Sequence, residues 1–481
     1  MPRYPLRLSP PPLSEAAAHD ELVDALAALP GEIGVERAFP AEVTAEAERA
    51  AATVVLPDAD LTELDLVTLD PEASTDLDQA FAIHRDGAGW IVHYAIACLD
   101  AFVSPGGAVD AEARDRGQTL YAADGRIPLH PPVLSEGAAS LLPEQLRPAY
   151  VWELALDGAG ALTRTGLTRA RVRSRRKLAY ESAQADLDAD RGPDAATLGL
   201  LREVGEARLA QEAQRGGASL STPETVVTAD ADGYRLERRM LLPVETWNAQ
   251  LSLLTGMAGA RLMLDGGVGI LRTMPPADEE AIARFRFRAR HLGTPWPREQ
   301  GYGEYLRGLD GRDPAQLAIL HAAAALFRGA GYTAFDGEPP EQTEQAAIGA
   351  PYAHVTAPIR RLVDRFGLAI CAAHAAGDEP PAWAREALPE LPGAMARSSQ
   401  RAGELERRTL DHVEAALLAP RVGQVFDAVV LAADDRGSVV QLDDPDAQAM
   451  IPARLTAGED VRLRLTAADI AEGTVALEPA D

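Results

Sequence analysis

Four carboxylates fall within nine residues in the stretch TLDPEASTDLDQA, residues 68–80: Asp70, Glu72, Asp76 and Asp78, with Gln79 directly after them. Carboxylates held this close repel one another unless a cation intervenes. Mg2+ takes oxygen ligands and keeps waters or substrate phosphates in its shell. Two such ions a few ångströms apart stabilise both the attacking and the leaving oxygen in phosphodiester hydrolysis. The D-x5-D-x-D spacing is not that of an EF-hand. An exposed acidic turn is the alternative that the spacing leaves open. A second stretch carries the opposite charge. RTGLTRARVRSRRKLAY, residues 164–180, holds six Arg and one Lys and no acid. It reads either as an electrostatic track for a polyanion or as a solvated basic face. Cys98 and Cys371 and the histidines show no metal-ligand spacing, and Cys98 lies in an apolar run as a buried thiol would.

These residues need elements to position them. A strand over 64–70 delivers the acidic loop. Alternating residues around Asp86-Gly87 and again around Asp157-Gly158 predict two hairpins, 80–99 and 150–172. The basic stretch forms the return strand of the second. Residues 110–122 read as a helix, and helical patterns dominate from about 177 to 420, near 195–214, 244–264, 276–292, 313–329, 358–376 and 393–418. Ahead of the first strand, a proline-rich tail leads into a helix capped by Ser14 and stopped at Pro30-Gly31, and a second helix starts near Thr44. The last sixty residues change to short β-rich runs separated by turns, which fits a five-stranded barrel. The class is therefore α+β, with strands early and helices later.

Composition bounds the function. The chain has 481 residues, 47% hydrophobic and 25% charged, so it is globular. A net charge of −27 repels phosphate at long range, which makes the basic stretch a local exception. The N-terminus lacks the apolar core of a secretory signal. No apolar run is long enough to predict a membrane span. A cytoplasmic, monomeric protein is expected.

Four ordered segments carry a resemblance. TLDPEASTDLDQA resembles the acidic motif of the ribonuclease II/ribonuclease R (RNB) family of hydrolytic 3′→5′ exoribonucleases. RGQTLYAADGRIPLHPPVLSEGAASLLP (116–143) is similar to that family's Tyr-containing segment. RSRRKLAYESA (173–183) is similar to its S-x-x-K-L-x-Y motif. YAHVTAPIRRLVD (352–364) is similar to its Y-x-x-x-T-S-P-I-R-R-x-x-D motif. The resemblance implies an RNB catalytic domain of mixed sheet and packed helices over 61–419. A small helical module, winged helix-turn-helix-like, would fill 1–60, and an S1-type OB barrel 420–481.

The resemblance also implies roles. Asp70, Asp76 and Asp78 match catalytic aspartates that hold Mg2+, with Mn2+ as a substitute. Arg360 matches the arginine on the scissile phosphate, where a planar guanidinium stabilises developing charge. Tyr180 matches an aromatic that stacks on the terminal base, a contact that needs no base identity; an ordinary core Tyr is the other reading. Tyr121 matches a second aromatic contact. Glu245 and Glu406 match acids near the terminal nucleotides, or are surface helix residues. Arg173, Arg175, Arg176 and Lys177 would guide single-stranded RNA.

This chain departs from the family at Gln79, where D-L-D-D becomes D-L-D-Q. A Gln offers a carbonyl oxygen as metal ligand but no charge, so weaker metal affinity is expected. Family members carry two cold-shock barrels ahead of the catalytic domain, where about sixty residues stand here. A more open entrance and tolerance of RNA with secondary structure follow as expectations. The rival readings are a catalytically weakened RNA-binding protein on a nuclease scaffold, and a phosphodiesterase acting on DNA.

Overall fold

The computed structural model describes residues 16–122, 125–218, 224–230, 233–310, 313–435, 437–442, 447–456 and 458–480. The proline-rich tail and the Ser14 cap lie outside the described residues. Two helices lead, α1 (Ala16–Glu32) and α2 (Ala41–Thr53). The strands β1 (Leu66–Asp70), β2 (Gln79–Asp86) and β3 (Gly89–Ala97) follow, then α3 (Ala108–Arg116). The short strands β4 (Leu120–Ala122) and β5 (Gly125–Ile127) precede the long β6 (Leu146–Leu156) and β7 (Leu162–Ala179). Helices α4 (Tyr180–Asp188), α5 (Ala195–Gln214) and α6 (Pro243–Gly266) come next.

β1, β2, β3, β6 and β7 close into a barrel in that order. Its last seam, β1 on β7, is parallel and pairs Asp70 with Ala179. Alternation along the strands builds two faces. Phe81, Tyr94 and Trp152 face one way, cross-strand neighbours in turn, and so do Ile83, Val92 and Leu154. They bury against Leu201 and Val204 of α5, Leu251 and Leu254 of α6, and Phe366 of the helix Leu362–Ala376. Each large side chain buried this fully contributes roughly 1.5–3 kcal/mol. Smaller residues, Ala80, Ala95 and Val151, line the opposite face with Val43 and Ala47 of α2.

The two predicted hairpins form, the first turning at Gly87 with φ 58°. The helix read over 110–122 stops earlier. Gly117 ends it at φ 72°, and a Cβ there would sit 2.5 Å from the Cβ of Ser398, so the chain turns and Leu120–Ala122 becomes strand. The helix read over 358–376 begins only at Leu362, because Thr356–Arg361 is bent into a loop. A hairpin, Glu224–Asp230 with Gly233–Arg239, and a strand pair, Val268–Thr273 with Gly331–Asp336, interrupt the region read as helical.

The N-terminal helices do not share a core of their own. Leu22 and Leu26 of α1 are buried with Phe426, Val440 and Leu463 of the C-terminal sheet, whereas α2 packs on the barrel of β1, β2, β3, β6 and β7. The C-terminal sheet orders its strands Gln448–Ile451, Gly437–Leu442, Val425–Asp434, Asp460–Asp469 and Thr474–Pro479. It is antiparallel throughout and curls until its edge strands touch, as an OB barrel does. No helix among the described residues is long and apolar enough to cross a membrane.

Candidate active site

β1 runs into the acidic loop, and the loop is stitched down from three sides. Ser140 Oγ donates to the Thr75 carbonyl and accepts from the Leu77 amide, at 2.7 and 2.9 Å. Lys177, near the end of β7, donates to the carbonyls of Glu72 and Ser74, at 2.5 and 2.6 Å. Arg126 on β5 pairs with Asp76, with Thr75 Oγ1 and, at 2.9 Å, with Glu136.

Asp78 lies at the bottom, 3% exposed. Its Oδ1 accepts the Ile359 amide at 2.8 Å, and its Oδ2 lies 3.2 Å from Arg360 Nε. That approach is close but off the hydrogen-bond axis, so buried Oδ2 carries no hydrogen bond among the described residues. The loop bearing Ile359 and Arg360 is shaped by Asp364, whose Oδ1 accepts the amides of Thr356 and Ala357 at 2.8 and 2.7 Å. Asp364 also receives both arms of Arg361, at 2.9 and 2.8 Å. The Thr119 amide donates to the Arg360 carbonyl at 2.9 Å, which ties this loop to β4.

Tyr121 and Arg126 face each other across β4 and β5. Tyr121 lies in the charge field of Arg360 while Arg126 holds Asp76. One small hairpin therefore grips both halves of the cluster. Burial pushes Asp70 up to about 6, opposed by Arg360 and reinforced by Asp76. Burial also holds Asp78 well above the usual carboxylate range, although Arg360 and the Ile359 amide oppose it. Arg360 is pulled up: burial works against its charge, but Asp78, Tyr121, Asp70 and Asp76 outweigh it. Cations and anions thus come together in a largely buried cluster, arranged around Arg360.

The RNB domain model matches residues 58–369, and the model of the RNase II-type exonuclease C-terminal S1 domain matches 424–480. The chain belongs to the RNB family. It is 27% identical to ribonuclease R of Escherichia coli over 414 residues, which cover 80% of this chain and 50% of that protein. It is 26% identical to a probable exosome complex exonuclease RRP44 of Caenorhabditis elegans, over 64% of this chain and 34% of that one. It thus spans about half or less of these curated relatives. In fold it is similar to the apo form of Mycoplasma genitalium RNase R, with a TM-score of 0.84 at 19% identity, over 96% of this chain and 78% of that one. It is also similar to yeast Ssd1, a pseudonuclease, with a TM-score of 0.71 at 15% identity, over 89% of this chain and 55% of that one.

In this RNB chain the expected residues divide. Asp70, Asp76, Asp78, Tyr121 and Arg360 form one interacting cluster. Gln79 has both ends of its amide hydrogen-bonded within the protein. Its Nε2 donates to the Thr356 carbonyl at 2.6 Å, and its Oε1 accepts the Tyr94 hydroxyl at 2.7 Å. Strand alternation turns it away from Asp78 into the face shared with Phe81. Tyr180 is not an open stacking surface: it starts α4, is 4% exposed and packs in the main core, with Asn248 Nδ2 3.4 Å from its hydroxyl.

Glu245 serves the first turn of α6. It accepts the Leu242 amide at 2.7 Å and pairs with Arg239 at 2.9 and 3.0 Å, satisfying amides that a helix start leaves open. Glu406 is exposed on the helix Leu391–Leu418, next to Leu405, which packs on Leu120 and Ala122 of β4.

The basic strand is mostly consumed inside the molecule. Arg175 donates to the Thr62 carbonyl, Arg176 to both oxygens of Asp194, and Lys177 to the acidic loop. Arg173 is half-buried, and its Nε has no hydrogen-bond partner among the described residues. An acidic chain supplies partners for such cations locally; of the four only Lys177 reaches the acidic loop, and Arg176 stays exposed. Sequence reasoning missed Arg126. Its signal was a lone Arg in a turn-flanked segment, ADGRIP, opposite Tyr121.

Proposed function

We propose that this chain is a 3′→5′ exoribonuclease that hydrolyses single-stranded RNA to nucleoside 5′-monophosphates, assisted by Mg2+ or Mn2+. The observation that carries this reading is the meeting of Asp78 with Arg360, 3.2 Å apart yet 282 residues apart in the chain (360 − 78). An anion-binding guanidinium and buried carboxylates at one point suit a phosphodiester and a cation together.

The donor set fits a magnesium-type ion of the sort that uses one or two carboxylates and takes its other oxygens from water and substrate phosphate. The buried Oδ2 of Asp78, without a hydrogen bond, faces the cluster, and Asp70 lies within its charge field. Among the described residues no three His, Cys, Asp or Glu side chains are grouped closely enough to cage a metal alone, so Asp70 and Asp78 are the carboxylates that would hold the ion. When bound, the cation lowers the pKa of attacking water and screens the charge on the phosphate oxygens.

The chain's own groups do the rest. Arg360, aligned by Asp78, Tyr121 and the Thr119 amide, presents a planar fork to a non-bridging oxygen and stabilises charge developing there. The Ile359 amide fixes the Asp78 rotamer. Lys177 holds the backbone of the acidic loop in place.

The test uses RNA labelled at its 5′ end, incubated with Mg2+ or Mn2+, beside the deoxy oligonucleotide and a duplex with a 3′ overhang. Progressive shortening with mononucleotide release is expected, abolished in Asp78→Asn. A stable complex without shortening supports the rival reading of an RNA-binding protein on a nuclease scaffold, which Gln79 favours. Equal shortening of DNA overturns the RNA assignment.

A further inference from the structure

We propose that Arg126 is a resident counter-ion that withholds Asp76 from the divalent cation, so that the site loads its cation through Asp70 and Asp78 and does so weakly. This rests on the reading of the cluster as a cation-assisted phosphodiesterase centre.

Asp76 is the exception among the three aspartates. Asp78 ends at an amide and at Arg360, and Asp70 sits at the end of β1. Asp76 is ion-paired to a cation that a second carboxylate, Glu136, holds as well. Arg126 reaches it from β5 and is 22% exposed at the side chain, against 11% for Asp76. Glu136 holds the other arm of the same guanidinium at 2.9 Å, and Thr75 Oγ1 accepts from it as well. The guanidinium is therefore shared between two carboxylates. β4–β5 pairing positions it again, because Arg126 stands opposite Tyr121, which lies beside Arg360.

The charge balance points the same way. Asp70, Asp76 and Asp78 carry the negative charge of the cluster, and Arg126, Lys177 and Arg360 surround them. Gln79 adds no charge and is turned away. A divalent cation that enlists Asp76 must first separate it from Arg126, and opposite charges at contact in a half-buried setting resist that strongly. Glu136 competes for the same guanidinium. It loosens the grip on Asp76, so the two acids set the affinity jointly.

Mn2+ binding to the RNA-free full chain, followed by the loss of free-ion paramagnetic signal, tests this directly. Arg126→Met keeps the length of the side chain and removes its charge; it is expected to bind Mn2+ about tenfold tighter than wild type by relief of the competing ion pair. Arg126→Lys stays near wild type. Glu136→Gln, which frees Arg126 to favour Asp76, is expected to bind more weakly, and it tests the idea should Arg126→Met fail to fold by circular dichroism. Unchanged or weaker affinity in folded Arg126→Met overturns the inference, as does tighter or unchanged affinity in Glu136→Gln. If either result comes with RNA shortening by the wild type, the nuclease reading stands and only the role of Arg126 falls. If Mn2+ binding survives Asp70→Asn and Asp78→Asn together, the cation is not at this cluster and both fall.

Discussion

Gln79 Nε2 donates to the backbone carbonyl of Thr356 at 2.6 Å, across 277 residues of chain. This bond ties the first residue of β2 to the loop that carries Ile359 and Arg360. The other end of the amide receives the Tyr94 hydroxyl, which in turn is 2.8 Å from Ser252 Oγ on α6. Gln79 is thus a strut between barrel, helix and loop. Gln79→Glu keeps the shape but sets a carboxylate oxygen against a carbonyl. The expected cost is about 1–3 kcal/mol of stability, the usual penalty for a buried acceptor without a donor. RNA shortening should fall with it, because the Ile359 amide that orients Asp78 moves. Chemical denaturation and a single-turnover assay check both. A variant with wild-type stability and rate would show that the amide bond to Thr356 does not position the loop.

Arg360 and Arg361 are adjacent but do different work. Arg361 is spent on Asp364 with both arms, while Arg360 meets Asp78 and Tyr121. Arg360→Lys keeps a positive charge and loses the planar fork. It should lower the turnover rate by about a hundredfold while RNA affinity changes little, the pattern of a group that acts on developing charge. Arg361→Lys should act chiefly on thermal stability. Equal losses of turnover in both, at unchanged stability, would contradict this division.

Asp70 gives the site a pH signature. Its carboxyl is pushed up from 3.8 to about 6, mainly by burial. Between those values the folded chain keeps a proton that the unfolded chain has released, so stability falls as pH rises. The contribution is fully present below the unfolded value and lost above the folded one; it amounts to roughly 2–3 kcal/mol. Asp70→Asn removes this slope. Without cation, the variant should match wild type near pH 4 and exceed it above about pH 7. Added Mn2+ should raise the melting temperature of wild type at the higher pH and leave the variant nearly unmoved. Urea unfolding across this range is the measurement, and parallel slopes for the two proteins would refute the assignment.

The order of motifs in the chain anticipated the fold, and its hairpins depend on local patterns. Asp86-Gly87 and Asp157-Gly158 specify turns by backbone chemistry, and the hairpins are there. The T-A-P-I-R-R stretch had to be a loop for Arg360 to turn inward, yet helical periodicity extended over it. The long-range Asp364 bonds that bend it leave no periodic trace. Side-chain commitment was harder to read. Arg176, Lys177 and Glu245 look free in a sequence, and their partners Asp194, the Glu72 carbonyl and Arg239 become visible only when the chain is folded. The same holds for α1. Its apolar stripe is plain, but that it covers a barrel built from the far end of the chain is not.

The two tyrosines assigned to base contacts separate experimentally. Tyr180 lies in the main core with its ring shielded, whereas Tyr121 is half-buried on β4 beside Arg360. Tyr180→Ala opens a cavity and should cost about 3–5 kcal/mol, as large aromatic truncations do. Tyr121→Ala removes the hydroxyl beside Arg360 and leaves the core intact. Its melting temperature should stay close to wild type, while its turnover falls. Tyr121→Phe, which removes only the hydroxyl, should reproduce most of that loss if alignment of Arg360 is what Tyr121 provides. Full activity in Tyr121→Phe with loss in Tyr121→Ala would assign the ring to stacking instead. A stable Tyr180→Ala with weakened RNA binding would mean that Tyr180 leaves the core to meet RNA.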